Sequence, residues 1–413
     1  MMMKKLALLL LTALLVWPVW ADPVADAEAA HARGDFVAEL EITRSLALKG
    51  EAWAQYRLGL SYTLGAGVAK DHAEGIKWLR LAAAEGSAQA QLKLGDLYDT
   101  GQGVVQDHAE AAKWFRLAAA HGDARAQSNL GAKYARGIGL ARDYAEAAKW
   151  YRLAAEQGFS MAQVNLGGLY ERGYGVTQDY AEAAKWYRLA AAQGFAYAQT
   201  NLGSLYAHGR GVAQDYTESA KWYRLAAVQG DPVAQRALAD MYEDGQGVAR
   251  DDAEATKWYL LAAAQGHPSA QYNLALKYED GKGVVQNFAE AAKWYLLAAA
   301  QGHDNAQYNL AILYANGKGV ERDYAEAAKW YRRAAAQENV GAQLLLGTMY
   351  VGGQGVVQNP VKALTWFNLG AIKGNPHALH MRDRLASSMT QQQIAEAQKM
   401  AQECQGRNYQ GCD

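Results

Sequence analysis

Nine tryptophans constrain this chain more than any other feature. Trp78, Trp114, Trp150, Trp186, Trp222, Trp258, Trp294, Trp330 and Trp366 follow one another at a constant step of 36 residues (114 − 78 = 36). A fixed period of this length marks an array of units, each packed only against its neighbours. The expected architecture is therefore a solenoid. Around Trp186 the recurring stretch reads DYAEAAKWYRLAAAQG, from Asp179 to Gly194.

That stretch predicts a helix. Asp179 offers a short acceptor side chain to the free N–H groups of a helix start, and Glu182 completes a capping-box pattern. Ala, Lys, Arg and Leu, all good helix formers, fill the body. Gly194 supplies the stop, because glycine enters the left-handed region at no steric cost. Tyr180, Ala184, Tyr187 and Ala191 recur at spacings of three and four and share one face. The alanines admit a neighbouring helix closely, and Trp186 and Tyr187 fill the space between neighbours.

A first helix precedes it in every unit, as in the stretch from Ala162 to Tyr170. Its buried stripe is Ala162, Leu166 and Tyr170, and a turn with Gly173 and Gly175 joins the two helices. Nine such units run over 54–377. A worn unit over 22–53 keeps only the register, with Asp35 and Gly50 standing 36 residues before Asp71 and Gly86 (71 − 35 = 36). It reads as an N-terminal cap. At the other end, 378–413 reads as a capping helix beginning at Thr390, with Ile394, Ala397, Ala401 and Cys404 on one face, followed by a tail. Residues 1–21 read as a signal peptide: Lys4 and Lys5, an apolar run from Leu6 to Val16, and cleavage after Ala21. The expected location is periplasmic or secreted, with membrane attachment only if that segment stays uncleaved. In an exported chain Cys404 and Cys412 are expected to pair. Gly406 and Gly411 give the tail the freedom to fold back; the alternative is two free thiols.

The pattern carried by Gln163, Leu166, Gly167, Tyr170, Gly173, Gly175, Asp179, Glu182, Ala183, Lys185, Trp186, Ala190, Ala191 and Gly194 resembles the Sel-one-like repeat (SLR) family, a relative of the tetratricopeptide repeats. The likeness covers about four fifths of the chain; Ala239, Ala275 and Ala311 depart from it where other units have glycine. It implies an all-α fold, a right-handed α/α superhelical solenoid of helix-turn-helix repeats. It implies a non-catalytic interaction scaffold or adaptor, whose exported bacterial members serve envelope assembly or signalling. The partner would then be a protein or peptide segment of the envelope. A cysteine-rich branch of the family is linked to β-lactams, which makes a β-lactamase-like or other cell-wall enzyme the competing reading. That branch carries a cysteine pair in each repeat, and the repeats of this chain carry none.

Composition and motifs narrow the chemistry. Lys and Arg number 41 and Asp and Glu 42, so the basic field that tracks nucleic-acid phosphates is missing. The glycine pairs such as Gly137 and Gly139 join helix to helix, without the strand that a phosphate loop needs. Neither a G-x-S-x-G nor an S-x-x-K motif occurs, so no catalytic residue is assigned. His377 and His380 could share a helix face, but a zinc site needs three or four ligands, so no metal and no cofactor is assigned.

One polar row stands out. Asn129, Asn165, Asn201, Asn273 and Asn309 hold the same first-helix position. By the family resemblance first helices line the concave face. Asparagine both donates and accepts, so the row suits the backbone of an extended peptide; local bonding between repeats is the equal alternative. Tyr272, Lys277, Tyr308, Arg236 and Asp240 differ between units and are the expected readers of a partner's side chains.

Overall fold

The computed structural model describes residues 22–407 together with Tyr409, Gly411 and Cys412. The leader expected over 1–21 lies outside the described residues. Every regular element among them is a helix. The chain divides after Gln178 into two compact units.

The first unit contains α1 (Pro23–Ala32), α2 (Phe36–Ala47), α3 (Ala52–Leu64), α4 (His72–Ala84), α5 (Ala88–Thr100), α6 (His108–Ala120), α7 (Ala124–Arg136), α8 (Tyr144–Glu156) and α9 (Ser160–Arg172). The second contains α10 (Tyr180–Ala192), α11 (Ala196–His208), α12 (Tyr216–Val228), α13 (Pro232–Asp244), α14 (Asp252–Ala264), α15 (Pro268–Asp280), α16 (Phe288–Ala300), α17 (Asp304–Asn316), α18 (Tyr324–Ala335), α19 (Val340–Gly352), α20 (Pro360–Ala371), α21 (Pro376–Ala386) and α22 (Gln391–Gly406). Within each unit, consecutive helices pair and stack, as a chain of 36-residue helix pairs must.

The helix starts follow the sequence in one half and depart from it in the other. Asp143 accepts from the N–H groups of Ala145 and Glu146 at 2.9 and 3.0 Å. The reciprocal half of the capping box is absent there. The N–H of Asp143 already donates to the Tyr134 carbonyl at 3.0 Å, so the Glu146 carboxylate is released to pair with Lys149. Asp107, Asp215 and Asp251 repeat the arrangement. A complete box forms at Thr390 and Gln393, where α22 begins as its sequence predicts.

The turn glycines are required by close approach. Gly137 closes α7 at φ 69°, and Gly139 follows at φ 75°. A Cβ on Gly139 would lie 2.3 Å from the carbonyl of His108 in the preceding repeat. At the later turn that ends α18, Glu338 replaces the usual glycine and still takes φ 62°. Its carboxylate reaches Lys373 at 2.6 Å.

Burial divides the tryptophans. Trp186, Trp330 and Trp366 are buried, as the sequence suggests, but Trp78, Trp114, Trp150, Trp222, Trp258 and Trp294 are only partly so. The residue after each tryptophan is the tighter knob: Phe115, Tyr187, Tyr259, Tyr295 and Phe367 are buried almost completely. A helical step of 100° turns one ring into the gap between repeats and leaves its neighbour at the rim.

The buried polar row that ties repeats together is made of glutamines. Gln127 donates to the Ala119 carbonyl at 3.2 Å and accepts from Gln157 at 2.8 Å. Gln199, Gln235, Gln271 and Gln307 make the same pair of bonds in the second unit. Each glutamine gives a carbonyl at the preceding helix end a second donor, beside the N–H of the glycine three residues on.

The C-terminal end adds a helix that the repeat pattern did not predict. Asn375 caps α21 with Pro376 at its first position, a favoured start. Both α21 and α22 pack on α20. Cys404 and Cys412 are joined, with Cα atoms 5.1 Å apart, after Gly411 turns the tail at φ 63°.

Candidate binding cleft

Two lysines interrupt the apolar stripe of the first helices. Leu97, Leu169, Leu205, Met241, Leu313 and Met349 hold one position of that stripe; Lys133 and Lys277 hold it in two repeats, four periods apart (277 − 133 = 144). Both are buried as the leucines are, at 6% and 2% exposure. A buried ammonium needs partners, and the preceding repeat provides them. His108 and Asp252 begin their helices where Tyr144, Tyr180, Tyr216 and Tyr324 begin others. Asp99 and Glu243 stand where Ala135, Ala207 and Ala315 stand in three other repeats and Glu171 and Glu279 in two more.

In the first unit the Lys133 ammonium donates to Asp99 and lies 3.3 Å from Nδ1 of His108. That Nδ1 is also 2.6 Å from Asp99 Oδ1; it donates to the carboxylate in one tautomer and accepts from the lysine in the other. Burial pushes the Asp99 carboxyl up, but the bonds and charges of Lys133 and His108 together outweigh it and hold Asp99 below its usual range. Asp96, one turn earlier, accepts from Arg125 at 2.9 Å; its burial nevertheless raises its carboxyl.

These residues form one side of a cleft of about 460 Å³, which α7 and α9 continue with Asn129, Arg136, Met161 and Asn165. Arg136 makes no ion pair or hydrogen bond among the described residues. The amides of Asn129 and Asn165 are likewise unpartnered there and half-buried.

The image in the second unit is closed. Lys277 donates to Glu243 at 2.7 Å and to Asp252 at 2.8 Å. Tyr259 takes the place of Phe115, and its hydroxyl lies 2.6 Å from Asp240 and 2.8 Å from Glu243. Arg236 reaches Asp240 at 2.5 Å, and Asn273 donates to it at 3.4 Å. Burial raises both the Asp240 carboxyl and the Tyr259 phenol, whereas the bond to Lys277 lowers Asp252.

The sequence-derived residues therefore separate. Asn129 and Asn165 share the open cleft. Asn273 serves Asp240, and Asn309 donates to the Tyr295 hydroxyl at 3.0 Å. The Nδ2 of Asn201 is buried without a partner. Lys277, read from the sequence as partner-facing, is buried and bonded to Glu243 and Asp252 instead, whereas Arg236 and Asp240 pair with each other while remaining about a third exposed, at 34% and 32%. Tyr272 stacks on His303 at 4.6 Å, and Tyr308 lies 5.9 Å from Tyr331. His377 and His380 are both exposed on α21. Among the described residues no three His, Cys, Asp or Glu side chains gather as a metal site. The residues missed from the sequence are Lys133, Asp99, His108 and Arg136. Their signal is a lysine in a leucine column, matched one repeat earlier by a histidine in a tyrosine column.

With the helix pairs and the cleft described, the comparisons are direct. The Sel1 repeat model matches nine consecutive segments, 54–87, 88–123, 124–159, 160–195, 196–231, 232–267, 268–303, 304–339 and 340–375. The chain belongs to the Sel1 repeat family. A Sel1 repeat protein from Oxalobacter formigenes is 36% identical, with TM-score 0.61, over 75% of this chain and 90% of that one. The Escherichia coli protein c5321, a protective antigen of uropathogenic strains with an SLR fold, is 33% identical with TM-score 0.52 over 90% of this chain and 96% of its own. No match was found among curated proteins. The fold is one that typically serves as a scaffold, and Sel1 repeat proteins generally bind other proteins.

Proposed function

We propose that this chain is a non-catalytic scaffold of the bacterial envelope that holds a segment of another protein against its first helices. One observation carries the reading: Asn129 and Asn165, on successive first helices, present unpartnered carboxamides to an open cleft. Carboxamides one repeat apart can donate to and accept from an extended backbone. Family membership supports the class of function. Export rests on the leader-like residues Lys4, Lys5 and Leu6–Val16 and on the joined cysteines, which persist in oxidising compartments. No helix among the described residues is long and apolar enough to cross a membrane.

The test is an affinity capture from the native envelope with wild type and with the Asn129→Ala, Asn165→Ala double variant. A protein retained by wild type and lost by a variant of unchanged Tm supports the scaffold. Equal retention by both, or nitrocefin turnover by the purified chain, overturns it. Mass spectrometry of the chain from its own compartment should show a start at Asp22.

A further inference from the structure

We propose that the cleft of the first unit binds a carboxylate of an acidic peptide segment, with Arg136 as the counterion and Asn129 and Asn165 holding the adjacent peptide groups. The proposal deepens the scaffold reading and rests on it.

The argument begins with charge. Three cations line the cleft, Lys133, Arg125 and Arg136, against two carboxylates, Asp96 and Asp99. Lys133 is bound to Asp99, and Arg125 to Asp96. With those two pairs formed, the third cation, Arg136, has no partner among the described residues, so the cleft presents an unpaired positive charge. A guanidinium presents paired N–H groups that match a carboxylate in two parallel bonds. A carboxylate supplies the anion that this guanidinium lacks. A cationic ligand would meet only carboxylates that already have partners, and would be repelled by Arg136.

The surroundings favour a peptide as the bearer. Asn129 and Asn165 supply donors and acceptors on two consecutive first helices, and Met161 and Ile138 add apolar contact for the intervening side chains. The four-period image gives the internal contrast. At the position of Arg136 the second unit carries Asp280 (280 − 136 = 144), which pairs with Lys282 at 2.8 Å. There the hydroxyl of Tyr259 and the guanidinium of Arg236 already serve the carboxylates. The image is thus unsuited to an anion, and Asp280 provides a matched control.

The probe is a set of random octapeptides immobilised through their amino ends, made in four forms: with or without glutamate and aspartate, and with a free or an amidated carboxyl end. The full mature chain should bind the acidic forms at least tenfold more tightly than the doubly neutral form, a difference of about 1.4 kcal/mol. Loss on amidation identifies a terminal carboxylate; loss on removing the acidic residues identifies a side chain. Arg136→Gln should abolish the preference, and Asp280→Asn should leave it intact. Arg136 is exposed, so far-ultraviolet circular dichroism and Tm should match wild type. A preference that survives Arg136→Gln overturns the carboxylate assignment. Equal binding of acidic and neutral peptides also overturns it, yet leaves the scaffold reading standing, because peptide is still held. If no form binds, the assignment falls, and the envelope capture judges the scaffold separately.

Discussion

The Lys133 and Lys277 junctions are two solutions to one problem. Each places an ammonium in a leucine column and recruits partners from the preceding repeat. At Lys277 three carboxylates (Glu243, Asp252 and Asp240), a tyrosine hydroxyl, an arginine and an asparagine close a network. At Lys133 one carboxylate and one histidine suffice; Phe115 brings no hydroxyl, and a neighbouring arginine is left over. The difference teaches that one repeat position can serve stability in one place and recognition in another. What decides is whether the neighbouring columns supply matching charge or an excess of it.

The largest expected effect breaks the closed junction. Lys277→Ala removes the buried cation that bonds both Glu243 and Asp252, whose side chains are 35% and 29% exposed, and leaves Asp252 only the exposed Arg250 at 3.3 Å. The cost should be roughly 3 kcal/mol, the low end for a broken buried pair because water still reaches both carboxylates. Lys133→Ala leaves one carboxylate, still held by His108, and should cost about 1–2 kcal/mol on the same scale. Hydrogen exchange resolved on α15 and α7 would measure each locally, as repeat arrays permit. Equal costs would mean that the second carboxylate adds nothing. Replacing Lys277, Glu243 and Asp252 together by the Leu, Ala and Tyr found in other repeats should recover the loss, because apolar substitutes for a buried ion pair are often neutral or stabilising.

The next effect exchanges the ring that distinguishes the junctions. Tyr259→Phe deletes a hydroxyl bonded to carboxylates and should cost about 1.5–3 kcal/mol, as for hydrogen bonds to charged groups. The reverse change, Phe115→Tyr, would put a hydroxyl between Asp96 and Asp99 by analogy with its image. It should stabilise the first unit slightly and weaken binding in the cleft. Unchanged stability in Tyr259→Phe would show that solvent replaces the hydroxyl.

Much of the fold was legible before the structure. The 36-residue step gave the helix pairs, the aspartate caps gave the second-helix starts, and Thr390 gave the last helix. The capping box failed because tertiary contact competed for one donor: the N–H of Asp143 goes to Tyr134, which no local pattern reveals. The tryptophan ladder marked the period but not the deepest burial, since periodicity cannot tell a rim from the gap one residue on. The helix α21 was missed because it lies beyond the repeat and carries a weak stripe, with only Ala378 buried. The asparagine row was visible, but its division was not. Whether each amide is already occupied depends on Asp240 and Tyr295, which come from neighbouring repeats and become partners only in space.

The smallest effect is one of sign, and it separates two carboxylates within the closed junction. Asp252 faces Lys277 and Arg250, and the bond to Lys277 holds its carboxyl below the ordinary value of 3.8. In the folded state it binds fewer protons than in the unfolded state near that value. Its contribution is therefore present above pH 3.8 and is lost as pH falls through the folded value. Asp240 faces Arg236, Tyr259, Glu243 and Asp244, and burial raises its carboxyl despite Arg236. It binds more protons folded than unfolded, so its contribution is present below 3.8 and is lost as pH rises through the raised value. Asp252→Asn should therefore flatten the acid limb of stability against pH, and Asp240→Asn should steepen it. Asp99 should behave as Asp252 does, because Lys133 and His108 lower it. Having His108 where the second unit has Asp252, the first junction carries this limb on Asp99 and on Asp107, which the backbone N–H groups of Glu110 and Ala109 hold low, so Asp99→Asn should remove part of it. Hydrogen exchange of α13 to α15 and of α5 to α7 across the acid range reads the slopes. If Asp240→Asn and Asp252→Asn shifted the limb in the same direction, the network would be titrating as one group, and the division between a buried acid and a lysine-held acid would fail.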